Sequence, residues 1–391
     1  MNKKMNLLLL IVVFFISLLI IPLSAEQPDQ KTVKDIEKLM KRGNEKAQKN
    51  DFVKALEFYN EALALSTEYA PLYFGLARIN NLEKKFDDSI LNLEKALKID
   101  PNFTPALDLI LKTLLGIGQD KANQKLFEES NKYYLKILEI PGIETSAKEK
   151  LNLANFHIGI NYSQLNDPAK ANEYLPKVLE FPGLETVDKT MYVRALYQVA
   201  VNYLTLTKYN EANQYFTKLI QVPDLKTQFL KIYSVSLYLL GVTNNELKEY
   251  QTSIDYLLQY LELVKENPTD PLAPLANFLV GANNFEILEK EVAPIKNDPN
   301  EKEKPIKIAA LAKANTRIYP YLSKAIELNP DLEPAYMQLG NYYYYSQDLD
   351  NAIQTYKTLI EKFPASPDIE SYKKFLEGVE KQKEELSKKK K

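Results

Sequence analysis

Cysteine and tryptophan are absent from this chain of 391 residues, which has a single histidine and only 11 glycines. Without cysteine there is no disulfide, thiolate metal site or iron–sulfur cluster, and one imidazole cannot form a multi-histidine metal centre. An excess of basic charge is also lacking, because 50 basic side chains nearly balance 52 acidic ones and are dispersed along the chain. We therefore expect no metal, no cofactor and no nucleic-acid partner.

What is present is the composition of a folded protein, with 45% hydrophobic and 26% charged residues. The first 25 residues have the pattern of a secretory signal: Lys3 and Lys4 precede an apolar run over residues 7–21, Pro22 ends the run, and the small residues Ser24 and Ala25 lie at the expected cleavage point. This pattern predicts cleavage after Ala25 and export, to the periplasm of a Gram-negative bacterium. The alternative is an inner-membrane anchor formed by residues 7–23, although the apolar run is shorter than the roughly 18–20 residues that span a bilayer.

A pattern of 34 residues occurs twice near the start of the chain. In the unit that begins at residue 36, positions 8, 20, 24 and 27 hold Gly43, Ala55, Tyr59 and Ala62. In the next unit, the same positions hold Ala77, Ser89, Leu93 and Ala96. Small residues at positions 8 and 20 let two helices approach closely, and larger residues fill the space around them. The pattern therefore predicts antiparallel helix pairs.

The middle of the chain keeps this pattern with a period of 41 residues. That spacing separates two sets of small residues: Gly118, Gly159, Ala200 and Gly241, and Ser130, Ala171, Ala212 and Ser253. The boundaries between consecutive repeats, which we call the joints, contain prolines at the same spacing, namely Pro141, Pro182 and Pro223. The added residues fall before position 8, so we expect them to lengthen the first helix of each pair by about two turns. We also expect threonines to cap these helices, namely Thr145, Thr186 and Thr227.

The fullest version of the pattern is at the end of the array, in Tyr336, Leu339, Gly340, Tyr343, Leu349, Ala352, Tyr356 and Pro364. On these residues the sequence resembles the tetratricopeptide repeat family, whose motif places aromatic, small and proline residues at these positions. The resemblance implies an all-α fold, a right-handed α-solenoid of about eight helix-turn-helix repeats with a C-terminal capping helix. Such repeats occur in arrays because one helix pair alone leaves its outer apolar face in water.

The repeats divide the chain into seven segments. They are a signal peptide (1–25), a linker (26–35), two 34-residue repeats (36–103), four 41-residue repeats (104–266), an irregular repeat with a polar loop (267–332), a terminal repeat (333–366), and a capping helix with a basic tail (367–391). In the irregular repeat, we expect the second helix to run to about Leu328 and to bend at Pro320.

The sequence offers no constellation of catalytic residues. His157 lies within a first helix, and no neighbouring acid or nucleophile completes a hydrolytic triad. Gly116 and Gly118 lack the third glycine and the preceding strand of a dinucleotide-binding loop. We therefore expect a protein that is not an enzyme.

A row of apolar side chains on the first helices is the candidate binding site. In the family that the sequence resembles, positions 5 and 9 of the first helix line the concave surface. The partner-binding residues that this implies are Phe74, Phe156, Ile160, Tyr197, Val201, Tyr238 and Val242. Exposed rings suit a partner helix or an extended peptide. The alternative is that the long helices bury these side chains in the core.

A second aromatic group raises the same question. Tyr343 belongs to the core by its position in the repeat, whereas Tyr344 and Tyr345 either face the groove or lie under the terminal helix.

The sequence thus favours an exported, non-catalytic scaffold that binds a protein or peptide of the cell envelope in its groove. The alternative function is a carrier for a small amphipathic ligand or lipid. Contact with the membrane is expected only through an uncleaved N-terminal anchor.

Overall fold

A computed structural model describes residues 27–267, 269–297, 300 and 302–389. The signal segment expected at residues 1–25 lies outside the described residues, as do the last two lysines of the basic tail. Within the described ranges, every regular element is a helix, and none of the helices is long and apolar enough to cross a membrane. The prediction of an all-α fold is confirmed.

The chain forms two compact units, of which the first comprises residues 1–161. Its helices are α1 (Gln30–Ala47), α2 (Phe52–Leu65), α3 (Ala70–Leu82), α4 (Phe86–Ile99), α5 (Thr104–Asn123), α6 (Phe127–Leu138), α7 (Ile143–Ser146) and the greater part of α8 (Lys148–Gln164). From α1 to α6, each helix packs on the next one along the chain. This is the stacking of helix-turn-helix repeats.

The second unit comprises residues 162–391. Its helices are α9 (Pro168–Leu179), α10 (Leu184–Val187), α11 (Lys189–Thr205), α12 (Tyr209–Ile220), α13 (Leu225–Gln228), α14 (Leu230–Glu246), α15 (Tyr250–Val264), α16 (Ala273–Lys296), α17 (Lys304–Ala314), α18 (Ile318–Leu328), α19 (Glu333–Tyr345), α20 (Leu349–Lys362) and α21 (Ile369–Lys389). The longer helices pack on one another in chain order, and α17 packs against α16 and α19. Both units thus have the predicted α-solenoid arrangement of stacked helix pairs.

Small residues at position 8 allow a large side chain of the second helix to reach the backbone of the first. At Gly118 in α5, a Cβ atom would lie 2.6 Å from Cε1 of Tyr134 in α6. At Gly43 in α1, it would lie 2.7 Å from Cδ2 of Tyr59 in α2. Both tyrosines are completely buried. The predicted close approach of the two helices is therefore confirmed, and the ring at position 24 fills the space that a glycine leaves.

Buried asparagines join neighbouring repeats. In the first unit, the Asn161 side-chain amide donates to Ser130 Oγ at 2.9 Å and to Asn131 Oδ1 at 2.8 Å. In the second unit, the Asn202 amide donates to Asn172 Oδ1 at 2.9 Å. A buried polar group is costly unless it is bonded, so these contacts favour one alignment of adjacent helices. The repeat motif alone did not predict them.

The residues added in the longer repeats extend the first helix by about two turns in only one case. Helix α5 has 20 residues, against 13 in α3, which confirms an extension of about two turns there. In the three following repeats, a four-residue helix precedes a 17-residue helix. The long helix is thus about one turn longer than α3, and the predicted extension by about two turns is wrong for these three repeats.

Each short helix begins after a residue with left-handed backbone and ends at a residue with non-helical backbone, since φ is −151° at Ala147, −142° at Asp188 and −132° at Phe229. Gly142 and Gly183 have φ angles of 73° and 74°, and Asp224 has a φ of 62° at the third joint. A residue in this conformation cannot continue a right-handed helix, and glycine adopts it without steric cost. Each joint therefore turns the chain and starts a short new helix.

The joint threonines do not cap the long helices. Thr145 Oγ1 donates to the carbonyl oxygen of Gly142 at 3.0 Å, and Thr186 lies inside α10. At the start of α11, the cap is Asp188, whose Oδ1 accepts a hydrogen bond from the N–H of Met191 at 2.9 Å. The prediction of threonine caps is wrong because the short helices place these residues ahead of the long ones.

The irregular repeat contains an additional helix. Helix α16 pairs with α18, since a Cβ atom at Gly281 would lie 2.6 Å from Cγ of Leu322. Helix α17 comes between them in the chain. Pro320 lies in the first turn of α18, where a proline is tolerated. The expected bend at Pro320 is therefore wrong, because the second helix begins there.

The terminal helix covers the last repeat. Tyr372 and Val379 of α21 are buried in a cluster with Tyr356 of α20. The Tyr372 hydroxyl also donates to Glu333 Oε1 at 2.7 Å. One face of α21 is thus apolar and packed, which is the role expected of a capping helix.

Candidate functional site

The first unit contains three of the seven predicted binding residues. Phe74 is half-buried, and its ring lies 5.6 Å edge-on from that of Phe103. Ile160 is also half-buried. Phe156, by contrast, is only 4% exposed, and its ring lies 5.6 Å from that of His157. Phe156 therefore belongs to the core, whereas the other two keep apolar surface in contact with solvent.

The second unit contains the other four. Tyr197 and Val201 on α11 and Val242 on α14 are half-buried. Tyr238 is only 8% exposed, and its ring lies 5.5 Å from that of Tyr260. Burial raises the pKa of both Tyr197 and Tyr238. Tyr238 thus packs inside the unit, as the core interpretation held.

We call Tyr197, Val201 and Val242 the first-helix surface of the second unit. Tyr197 and Val201 are four residues apart on α11, so they lie on the same face of that helix. Helix α11 contacts α14, which carries Val242. These three side chains of the predicted row are partly exposed, whereas the ring of Tyr238 is buried.

The aromatic group at the end of α19 packs against the irregular repeat. Tyr345 donates a hydrogen bond to Glu289, accepts one from Lys296 Nζ at 2.8 Å, and lies edge-on to Phe285 at 5.2 Å. Tyr345 therefore lies against α16 and not under the terminal helix. Tyr344 is exposed.

Tyr343 is half-buried and contacts the ring of Tyr319 at 6.0 Å. Burial raises the pKa of Tyr343 to about 12. Its packing agrees with the core position that the repeat pattern indicates.

His157 has a packing role. Its ring stacks on that of Tyr134 at 5.0 Å, with an angle of 10° between the planes. Among the residues that the structure describes, no group of three or more histidines or acids is placed to hold a metal ion. Hydrogen-bond donors lower the pKa values of three carboxyl groups, those of Asp29, Glu129 and Glu370. Such shifts keep a carboxylate charged and do not prepare a general acid.

A cleft of about 880 Å³ lies in the first unit, where α5 passes the turn between α3 and α4. The Asn81 side-chain amide, near the end of α3, donates to Thr113 Oγ1 in the middle of α5 at 3.2 Å. Because α5 is seven residues longer than α3, its second half continues beyond this contact. We call the space between this second half of α5 and the turn from α3 to α4 the turn cleft. The apolar part of its lining consists of Phe86, Leu109, Ile117 and Tyr133.

The rim of the turn cleft is charged. Lys85 is paired with Glu83 at 3.0 Å, and Lys121 with Glu129 at 2.7 Å. The Tyr133 hydroxyl donates to Asp87 Oδ1 at 3.3 Å, and burial raises the pKa of Tyr133.

Two other rim lysines, Lys84 and Lys112, are exposed. Within the described parts of the chain, no carboxylate lies within ion-pair distance of either one. The sequence patterns did not predict this cleft, although the change from a 34- to a 41-residue period marks its place.

Comparison with protein families agrees with the repeat pattern. Two family models, each described as a tetratricopeptide repeat, match the chain, one over residues 70–103 and the other over residues 194–224 and 334–366. These segments coincide with α3–α4, with most of α11–α12 and with α19–α20. No curated protein matches the sequence.

The solved structures to which the chain is similar include three with the following identities and coverages. MamA is 20% identical, with a TM-score of 0.37, and the match covers 52% of this chain and 94% of MamA. YrrB, whose structure is described as a TPR protein with an unusual peptide-binding site, is 16% identical, with a TM-score of 0.34 and coverages of 54% and 93%. The C-terminal part of a TPR repeat-containing protein from Cytophaga hutchinsonii is 12% identical, with a TM-score of 0.39 and coverages of 85% and 98%.

Proposed function

Because this chain is a tetratricopeptide repeat protein, we propose that it is an exported, non-catalytic scaffold that binds a peptide or helix of a cell-envelope protein. The observation that carries the proposal is the first-helix surface of the second unit. Its three members, Tyr197, Val201 and Val242, keep apolar surface in contact with solvent, whereas neighbouring side chains such as Leu196 and Val199 are completely buried.

The chemistry of this surface suits a protein ligand. Apolar side chains at a spacing of four residues on one helix match the apolar stripe of a partner helix, which repeats every three or four residues. The half-buried ring of Tyr197 adds a large contact area with few rotatable bonds. In the first unit, Phe74 and Ile160 offer separate apolar contacts for the same class of partner.

Export is the second part of the proposal. It is supported by the basic start, the apolar run over residues 7–21 and the small residues Ser24 and Ala25. N-terminal sequencing of the protein purified from its source organism tests it directly. We expect a mature chain that begins near Glu26. A chain that starts at Met1 in the membrane fraction would show an uncleaved anchor instead.

Photo-crosslinking in cells of the source organism tests the binding surface. A photoreactive phenylalanine analogue is placed at Val201 in one variant and at Val242 in another, both on the first-helix surface. The control carries it at Lys218, an exposed residue of α12. We expect the same envelope protein to be captured from the first two positions and not from the control. Equal capture from all three positions, or none from any, would contradict the proposed surface.

A further inference from the structure

A second cleft, of about 480 Å³, lies in the second unit where the irregular repeat meets the terminal repeat. Three tyrosine rings contribute to its wall: Tyr319 of α18, and Tyr342 and Tyr343 of α19. Their ring centroids are 6.5, 6.0 and 5.8 Å apart, so each ring contacts the other two. We call this space the tyrosine cleft. Its volume lies within the range of small-molecule binding sites.

The rings of the tyrosine cleft remain accessible although they contact one another. Tyr319 is 46% exposed and Tyr342 is half-buried, whereas Tyr356, which fills the contact between α19 and α20, is 1% exposed. The face of an aromatic ring is apolar and carries partial negative charge, so it attracts C–H groups, which carry partial positive charge. A ligand can therefore pack a flat, C–H-bearing face against these rings.

The rest of the described lining is polar and has unused hydrogen-bonding capacity. It consists of Lys313, Ser346, Gln347, Asp348 and Asn351. The Asp348 carboxylate accepts the N–H of Asn351 at 3.4 Å and its side-chain amide at 2.8 Å, and a carboxylate can accept about four hydrogen bonds. Lys313 has no ion-pair partner among the described residues. The cleft thus offers both acceptors and donors to a ligand.

The hydroxyl of Tyr342 adds another donor. Burial and the Asp348 carboxylate raise the pKa of Tyr342, so its hydroxyl keeps the proton at neutral pH. Among the residues that the structure describes, it has no hydrogen-bond partner. A ligand oxygen is therefore free to accept from it.

The two charges of the described lining, on Lys313 and Asp348, have opposite signs. An ionic ligand of either sign would gain one attraction and one repulsion, so the charges favour an uncharged ligand. The described lining also contains no aliphatic side chain, and so it offers no pocket for a leucine or valine of a peptide. What remains is an uncharged molecule with hydroxyl groups around a flat face of C–H groups.

We propose that the tyrosine cleft binds an uncharged carbohydrate. A pyranose ring has C–H groups on its face and hydroxyl groups around its edge, which is the arrangement that the cleft complements. The C–H face packs on the ring of Tyr319, and the hydroxyls donate to Asp348 and accept from Lys313 and Tyr342. This inference goes beyond the proposed scaffold function, because it concerns another class of ligand and a surface distinct from the first-helix surface.

Saturation-transfer NMR on the full chain tests the proposal with defined disaccharides. The uncharged probes are maltose, cellobiose and N,N′-diacetylchitobiose. The charged probes are chitobiose, which is the cationic, deacetylated form of the last, and digalacturonic acid, which is anionic. We expect at least one uncharged disaccharide to bind more tightly than both charged ones. Its affinity, measured by isothermal titration calorimetry, should be the same at low and high salt, because an uncharged ligand has no charge for salt to screen.

Ring variants locate the binding site. Tyr319→Ala removes an exposed ring and is expected to weaken binding about tenfold. Tyr319→Phe keeps the ring and should change the affinity by no more than about twofold. The matched control is Tyr344→Ala, because Tyr344 is also exposed but does not line the cleft. Thermal denaturation checks that each variant is folded.

A charge variant tests the proposed acceptor. Asp348→Asn keeps an oxygen that can cap α20, since asparagine caps a helix as well as aspartate does. It replaces a charged acceptor with a neutral one, so we expect binding to weaken about threefold. The control is Asp350→Asn, an exposed acid of α20 that does not line the cleft, and it should leave the affinity unchanged.

The proposal is overturned if none of the uncharged disaccharides binds, or if Tyr319→Ala and Tyr344→Ala have equal effects on the affinity. Tighter binding of a charged disaccharide, weakened by salt, would also overturn it in favour of an ionic ligand. Crosslinking from Val201 and Val242 does not involve this cleft, so a failure of either surface is seen separately.

Discussion

The hydroxyl of Ser130 donates a hydrogen bond to the main-chain carbonyl of Gly118 at 2.7 Å. Ser253 and Gly241 form the same bond at 2.6 Å in another repeat. A side chain as short as serine reaches across two helices only where their backbones nearly touch. The bond therefore measures how closely the helix pair is packed.

Adding a methyl group at Gly118 should destabilise the fold. Because the new Cβ would lie 2.6 Å from Cε1 of the buried Tyr134 ring, we expect Gly118→Ala to lower the free energy of unfolding by about 1–3 kcal/mol. Gly116→Ala, two residues away in the same helix, should raise it by about 0.5–1 kcal/mol. Urea denaturation followed by circular dichroism measures both. Equal effects of the two changes would contradict the packing described for α5 and α6.

Removing the buried amide at Asn161 should also be costly. Asn161→Ala leaves Ser130 Oγ and Asn131 Oδ1 without this donor, so we expect a loss of about 1–3 kcal/mol in the free energy of unfolding. The exposed Asn210 on α12 provides the control, for which alanine should change stability by less than about 0.5 kcal/mol. Hydrogen exchange of α6 and α8 would show whether the loss is local to their contact.

The two buried aromatic residues of the predicted binding row should behave as core residues. We expect Phe156→Ala and Tyr238→Ala each to lower the free energy of unfolding by about 3–5 kcal/mol. Val201→Ala, on the first-helix surface, should cost no more than about 1 kcal/mol. Thermal denaturation distinguishes the two classes. If Phe156→Ala leaves the melting temperature unchanged, the burial of that ring is wrong.

The cap of α11 can be tested against the threonine that the sequence suggested. Asp188→Ala removes the acceptor for the N–H of Met191, and we expect it to cost about 0.5–2 kcal/mol. Thr186→Ala should change stability by less than about 0.5 kcal/mol because Thr186 is exposed and lies ahead of that helix. The reverse order of the two effects in urea titrations would restore the threonine cap.

Stability should fall at alkaline pH because of buried tyrosines. Burial raises the pKa of Tyr59 and of Tyr134 to about 12, from a usual value of 10.0. Between these values, the unfolded chain releases the phenolic protons and the folded chain retains them, so rising pH favours unfolding. We expect the buried tyrosines to cause no change in stability between pH 7 and 10 and a progressive loss from pH 10 to 12. Urea midpoints across this range measure it.

Tyr59→Phe separates the two effects of that hydroxyl. At neutral pH it removes the bond from the Tyr59 hydroxyl to Asn44 Oδ1, 3.0 Å long, at a cost of about 1 kcal/mol. Between pH 10 and 12, the variant should lose less stability than the unmodified chain. An unchanged pH profile would show that Tyr59 does not contribute to the alkaline loss.

The repeat spacing predicted most of the fold because it reports local contacts. Gly118, Ser130 and Tyr134 lie within 17 residues of one another, so one helix pair contains the whole relationship. The Pro-Gly pairs indicate only where the short helices begin, because Gly142 and Gly183 precede them. The split itself lies at Ala147 and Asp188, and the signal that could have revealed it is Asp188, a residue type that often caps the start of a helix.

The burial of the predicted binding residues could not be read from the sequence, because burial depends on neighbours far away in sequence. Tyr238 and Val242 lie on the same helix, but Tyr238 contacts Tyr260 and is buried, whereas Val242 keeps part of its surface exposed. Helical periodicity alone cannot separate two residues of one face that meet different partners. The turn cleft depends on the unequal lengths of α3 and α5, and so on a comparison of two repeats that the motif treats alike.

The joints of the second unit have a consequence for how the gene can change. Gly183 and Asp224 are 41 residues apart, share left-handed backbone, follow a proline and precede a buried leucine. An in-frame loss of residues 183–223 would connect Pro182 to Asp224 and recreate a joint of the same kind. Recombination between two such joints would remove or add one whole 41-residue repeat. The number of repeats can therefore change without a change in the sequence within any repeat.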